Sequence, residues 1–237
     1  MLLTNSVTLR ALAYDSAFLT SAEAAPVNLR IWPTYALAAS TAGGGDITAD
    51  PPPYGSPNWY VSNTVVTLTA TAADGWSFLQ WTGDSEAVTN VIRFAMDRPR
   101  AVQAVFGAPL HLVVQGDGQV PSDPPAGLYA FGSMVQMEAL PGPGFYFFGW
   151  AGAFSGFANP LSFSFTNPPV ITALFGALKT NQLSLTVLPN GSGSVSVSPS
   201  LNVYTNGQSV TLTAVAASDS RFAGWSGEVV TTSIRCR

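Results

Sequence analysis

Phe222-Ala223-Gly224-Trp225-Ser226-Gly227 decides the fold, because the same Phe-x-x-Trp-x-Gly frame occurs twice more. It recurs as Phe78-Leu79-Gln80-Trp81-Thr82-Gly83 and Phe147-Phe148-Gly149-Trp150-Ala151-Gly152. Working outward from each Trp, a tyrosine lies 21 residues upstream every time, at Tyr60, Tyr129 and Tyr204. Fifteen residues upstream begin the strand-like runs Val66-Thr67-Leu68-Thr69-Ala70, Val135-Gln136-Met137-Glu138-Ala139 and Val210-Thr211-Leu212-Thr213-Ala214. Shared offsets on this scale mark internal repetition, which has to be recognised before any fold is assigned.

Downstream of the Trp the pattern repeats twice. Ile92, Phe94 and Met96 correspond to Leu161, Phe163 and Phe165; Val102, Ala104 and Phe106 correspond to Ile171, Ala173 and Phe175. Apolar residues at every second position, with Thr, Ser, Gln or Arg between them, predict half-buried strands. Each copy opens with an alternating run and a glycine turn. Leu110, Leu112 and Val114 precede Gly116 and Gly118, and Leu183, Leu185 and Val187 precede Gly191 and Gly193. The first copy has Tyr35 and Leu37 before Gly43-Gly44-Gly45. No window carries a sustained 3.6-residue apolar period.

The predicted fold is therefore all-β: tandem small β beads of about 70 residues, a size able to hold its own core. An orphan strand pair precedes them. The expected boundaries are 1–32 for a fragment of an accessory β domain, 33–107 for the first repeat, 108–177 for the second and 181–237 for the third. The third is expected to be truncated. Position 11 after Trp225 is Cys236, so two closing strands are expected to be missing and residues 228–237 to pack poorly. The alternation alone leaves open whether a bead is a sandwich or a single curled sheet.

Composition narrows the function. Of 237 residues, 47% are hydrophobic and 9% charged, with a net charge of −4. Ordinary globular chains carry about 25% charged residues. Lys179 is the only lysine, so no basic patch forms and nucleic acid is not an expected partner. No run reaches the length of a membrane-spanning helix. Met1 to Ser6 do not begin a signal peptide, and the chain is expected to be a fragment of a larger secreted protein. His111 and Cys236 are the single histidine and cysteine, which excludes an intrachain disulfide and works against a metal site or a histidine-based triad. No cofactor is expected, and no residue is assigned a catalytic role.

The recurring aromatics read as core. A buried Trp removes about 150–250 Å² from water, at most about 4–6 kcal/mol. Trp81, Trp150 and Trp225, with Phe78, Phe147, Phe222, Phe106 and Phe175, are the expected core anchors. Gly83, Gly152 and Gly227 are expected at positive φ. The three tyrosines are expected to keep their hydroxyls wet or bonded to backbone. Asp84 and Glu86 form the best local carboxylate pair, but the middle copy has Ala153 where Asp84 stands. They are read as solvated loop acids and not as glycosidase or calcium groups. His111 falls on the polar phase of its strand.

One segment breaks the register. The first copy carries four extra residues, within Asp50-Pro51-Pro52-Pro53-Tyr54-Gly55-Ser56-Pro57-Asn58-Trp59. A proline-stiffened surface loop with two aromatics makes Tyr54 and Trp59 the candidates for ligand stacking.

Together these features resemble the divergent internalin B-type B-repeat, a bacterial surface module found in tandem. Its pattern joins a Gly-x-Gly turn, a Tyr, a Val-Thr-Leu-Thr-Ala strand, Phe-x-Gly-Trp-Ser-Gly and a final Val-x-Ala-x-Phe. Tyr204 to Ala214 and Phe222 to Gly227 match it best. The second copy follows with Phe147 to Gly152 and Ile171-Thr172-Ala173-Leu174-Phe175, and the first has Gln80 where the pattern has Gly. The resemblance implies a non-catalytic extracellular or cell-surface module with a spacer or adhesive role. A carbohydrate-binding module using Tyr54 and Trp59 is the alternative. The implied partners are cell-wall or extracellular polysaccharide, or a host or neighbouring surface protein. Residues 6–27, with Val7, Leu9, Ala11 and Ala13 alternating before Thr20-Ser21, resemble the end of a chitobiase/β-hexosaminidase C-terminal-type domain.

Overall fold

The computed structural model describes residues 6–13, 22–23, 25–55, 58–228 and 235–236. Every element among them is a strand, and no described helix is long and apolar enough to cross a membrane.

The second copy shows how a bead is built, from two three-stranded sheets. In one, the Gly-x-Gly arm (Ser122–Asp123), the middle strand (Met134–Met137) and the return strand (Leu161–Ser164) lie in that order, all antiparallel. In the other, the closing strand Val170–Ala177 is central. It runs antiparallel to the Trp strand Phe145–Gly152 and parallel to the opening strand His111–Gln115. Parallel pairing of the opening and closing strands requires the rest of the copy as its crossover, which is why the bead spans so much sequence. Val135, Met137 and Phe163 from the first sheet, with Phe165 just past its return strand, share one buried cluster with Trp150, Ile171, Ala173 and Phe175 from the second. A bead is thus a small two-layer core.

The first copy repeats both sheets. Gly45–Asp50, Val65–Ala72 and Val91–Ala95 form the first, and the opening strand Thr34–Ala42 and Trp strand Ser77–Gly83 flank the closing strand Arg100–Ala108 in the second. Alternation buries Val66, Leu68 and Ala70, then Val102, Ala104 and Phe106, as the period-2 pattern requires.

The third copy repeats only the first sheet, with Gly193–Ser198, Thr211–Ala216 and Arg235–Cys236 in the same order. The expectation that both closing strands are missing is corrected here. Cys236 pairs with Leu212, the register by which Ile92 pairs with Leu68 and Leu161 with Met137, so the return strand begins where the repeat requires it. Residues 229–234 and 237, also expected to pack poorly, lie outside the described residues.

Ahead of the repeats, Val7–Leu9 pairs antiparallel with Val27–Leu29, and Leu12–Ala13 with Ala22–Glu23. Leu9, Val27 and Leu29 stay exposed. The Thr20-Ser21 turn lies outside the described residues.

The described contacts divide the chain into two compact units whose borders are not those of the sequence repeats. One holds Met1–Thr41, Asp46–Thr71 and Gln80–Ala104; the other holds Ala42–Gly45, Ala72–Leu79 and Val105–Arg237. Within the latter, Trp76 from the first copy's hairpin stacks on Phe131 and Phe165, with centroids 6.4 and 6.1 Å apart. Gly107 and Ala108, the end of the first closing strand, pair there with Ala130 and Tyr129.

Candidate functional site

The residues that recur at fixed offsets have to be placed first, since a site can use only side chains the fold does not already occupy. Trp81 is fully buried and Trp150 only 4% exposed. Each backbone N–H donates six residues ahead, to Ala87 O and Gly156 O, both at 2.8 Å. Each indole Nε1–H donates eight residues ahead, to Thr89 O at 3.0 Å and Ala158 O at 2.7 Å. The ring therefore clamps the loop between the Trp and return strands, and neither face is open to a ligand. Phe106 and Phe175 are buried, Phe78 and Phe147 half-buried against them, with centroids 5.9 Å apart in both pairs. Trp225 and Phe222 stack at 5.3 Å but are only half-buried.

Sequence reading missed a recurring asparagine next to that clamp. Asn90 donates from Nδ2 to Ala70 O at 3.1 Å, and its backbone carbonyl accepts the Ala70 N–H at 2.8 Å. Asn159 donates from Nδ2 to Ala139 O at 2.8 Å and accepts the Ala139 N–H on Oδ1 at 2.9 Å. Both stand nine residues after the Trp, a spacing legible in the sequence once the Trp frame is aligned. Each satisfies backbone groups where its middle strand ends.

Gly83 and Gly152 have φ of +92° and +93°, and a Cβ on either would come within 2.5 Å of a closing-strand carbonyl, Ala101 O or Val170 O. Gly227 has φ +105° with no described residue within 4 Å. The glycine is thus a close-approach position in two copies and a turn position alone in the third.

Asp84 is corrected by the structure. It is not a merely solvated loop acid: its carboxylate accepts the Ala101 N–H at 2.7 Å and the Arg98 Nη2–H at 2.6 Å. The Ala101 N–H, then Arg98, hold its pKa below the ordinary 3.8. A carboxyl lowered in the folded state stabilises fully above its unfolded value, and that contribution disappears as pH falls through the folded value. The urea midpoint of Asp84→Asn should fall below wild type at neutral pH, and the gap should close as the pH falls below 3.8 and through the lowered pKa. A gap independent of pH would remove the carboxylate from the account.

The three tyrosines also divide. Tyr129 Oη and Ser122 Oγ are hydrogen-bonded at 2.9 Å; Tyr204 donates to Pro199 O at 2.9 Å and accepts the Leu201 N–H at 3.2 Å. Tyr60 departs from the expectation of a wet or bonded hydroxyl. It is 2% exposed, its oxygen has no partner among the described residues, and burial pushes its pKa up. The partners of Tyr129 and Tyr204 come from the segment after the glycine turn, and the four-residue insertion changes that segment in the first copy. Tyr60→Phe should therefore raise stability, by up to about 1 kcal/mol, whereas Tyr129→Phe should cost about that much in thermal denaturation.

The insertion holds the remaining candidates. Tyr54 and Trp59 exchange both backbone hydrogen bonds, N–H to O at 3.3 Å each way, around the turn of Gly55 (φ +67°) and Asn58 (φ 54°). A directly opposed antiparallel pair projects its side chains to one face. Tyr54 is 52% exposed and Trp59 half-buried. Ser56 and Pro57, between them, lie outside the described residues. The nearby Asp50-Pro51 peptide is cis, as are Asp123-Pro124 and Ser198-Pro199 at the corresponding place in the other copies. His111 is exposed on its strand, and among the described residues no three of His, Cys, Asp and Glu gather at metal-binding distance.

The comparisons with known proteins agree with the repeated geometry. No curated protein and no solved structure matches the chain. The sequence pattern described as Divergent InlB B-repeat domain matches in three tandem stretches, residues 35–110, 108–179 and 183–237, well over half of the chain. The three matches take in Trp81, Trp150 and Trp225 in turn, and the chain belongs to the divergent InlB B-repeat family.

Proposed function

We propose that this chain is a non-catalytic module of an extracellular or cell-surface bacterial protein, serving as a spacer that presents neighbouring domains or adheres to a surface. What carries the reading is where the recurring chemistry-bearing groups go. The Trp81 and Trp150 indoles, Asn90, Asn159 and the Asp84 carboxylate all make hydrogen bonds that tie strands and loops of the scaffold together. A protein with a reaction to perform would hold some of them in reserve, aimed at a shared cavity. Antibodies raised against the repeats should label intact, unpermeabilised cells of the producing bacterium. Labelling only after permeabilisation would contradict the surface reading.

A carbohydrate-binding role is the second reading, favoured by the shared face of Tyr54 and Trp59. Two neighbouring aromatic rings form a platform for the apolar face of a sugar. Retention of the chain on insoluble cell-wall or extracellular polysaccharide, lost in Trp59→Ala with the fold intact, would support it. Equal retention of wild type and variant would remove it.

A further inference from the structure

We propose that the second copy is completed by the first: the surface formed by Phe131 and Phe165 is the seat of the first copy's Trp76-tipped hairpin, so these two copies open together while the third opens by itself. Trp76 follows the turn between strands Val65–Ala72 and Ser77–Gly83. Gly75 there has φ +79°, and the Trp76 N–H closes the turn on Ala73 O at 3.0 Å. The glycine turn of its own copy fixes the ring, since a Cβ on Gly43 would come 2.8 Å from the indole and one on Gly44 would run into it. The second copy supplies the rest of its surroundings. The indole meets Phe131 and Phe165 and packs against the second copy's buried cluster.

The backbone makes the same crossing. The first closing strand runs on past its own bead: the Phe131 N–H donates to Phe106 O at 3.0 Å, Ala108 pairs with Tyr129, and Ala108 is fully buried in the second copy's cluster. Leu79 lies over Gly107, where a Cβ would come 2.7 Å from Cδ1. Phe131 and Phe165 are tied to each other through the Gly132 N–H to Phe165 O at 2.7 Å and the Phe165 N–H to Ser133 O at 2.8 Å. Residues 42–45, 72–79 and 105–108 accordingly group with the second copy. The next junction is built otherwise. Phe145 stands at the offset of Trp76 and packs on the cluster of its own copy, Asp117 replaces Gly44 between the flanking glycines, and Asn206 stands at the offset of Phe131. The pairing of Leu183 with Tyr204, equivalent to that of Ala108 with Tyr129, is reached only after Leu178 to Asn181, outside the closing strand. In a tandem array each junction contributes its own interface to stability, and copies sharing much apolar surface open as one unit. The first junction has that surface and the second is a tether.

Amide-by-amide hydrogen exchange of the whole chain tests the coupling from both sides. In Trp76→Ala, the amides of Met134–Met137 and Leu161–Ser164 should exchange at least about tenfold faster than in wild type, although the substitution lies in the first copy. In Phe131→Asn, which gives the second copy the third copy's residue, the amides of Val65–Ala72 should accelerate comparably, and Thr211–Ala216 should be unaffected by either change. Because the two side chains share one contact, the double variant should exceed the larger single effect by less than about twofold. Trp76→Phe keeps a ring at the tip and should recover most of the protection, and circular dichroism checks that each variant is folded. Acceleration confined to the substituted copy, acceleration spread equally to Thr211–Ala216, or effects that multiply in the double variant would overturn the proposal.

Discussion

Trp150→Ala should lower stability by about 3–5 kcal/mol, a large share of what a small domain possesses. The side chain lies within a cluster that joins both sheets of its bead, so its loss leaves a cavity bordered by Phe147 and Ile171, which cannot easily collapse. The indole N–H bond to Ala158 O is lost as well, releasing the loop that carries Asn159. Trp81→Ala should behave alike, because that ring is equally enclosed and donates to Thr89 O. Trp225→Ala should cost half as much or less, since its ring is only half-buried. Urea denaturation followed by circular dichroism checks the order, with limited proteolysis locating which copy opens. Equal losses at all three positions would mean that burial does not decide the energetics.

The glycine after each Trp gives the second large effect. In Gly152→Ala the new residue must hold φ near +93°, which costs an L-residue about 1–2 kcal/mol, and its Cβ must displace the Val170 carbonyl. Moving a central strand carbonyl adds a penalty of the kind seen on overpacking a core, about 1–3 kcal/mol. The expected loss is thus about 2–5 kcal/mol, and Gly83→Ala should match it through Ala101 O. Gly227→Ala carries only the conformational part. The difference between the variants isolates what the close approach of the closing strand contributes. Identical losses for Gly152→Ala and Gly227→Ala would show that φ alone sets the cost.

How much of this was legible in the sequence depends on how local the physics is. The alternation of Val66, Leu68 and Ala70 is read directly from strand geometry, and the structure buries those residues as the period requires. The shared offsets of Trp81, Trp150 and Trp225 locate the copies, because in-register repetition needs no knowledge of tertiary contacts. The pairing of two sheets in each bead was not legible. It follows from a parallel contact between His111–Gln115 and Val170–Ala177, far apart in sequence, and alternation does not specify partners. The Asn90 and Asn159 bridges were missed because a polar residue in a loop carries the same signal whether it faces water or a strand end. Trp76 was not singled out for a related reason. Its rings of contact, Phe131 and Phe165, belong to the next copy, and the repeat pattern treats copies as separate. At the insertion, the aromatic pair was legible from composition, but its shared face comes from the Tyr54–Trp59 bridge, which only the backbone pairing reveals.

A scaffold organised by enclosed indoles is tested most directly by hydrogen exchange at the indole nitrogens, followed by NMR in deuterated water. The Nε1 protons of Trp81 and Trp150, enclosed and bonded to Thr89 O and Ala158 O, should persist until the surrounding bead opens, with the slowest core amides around them. Loss of either signal within the first spectra, while neighbouring strand amides remain protected, would contradict the account.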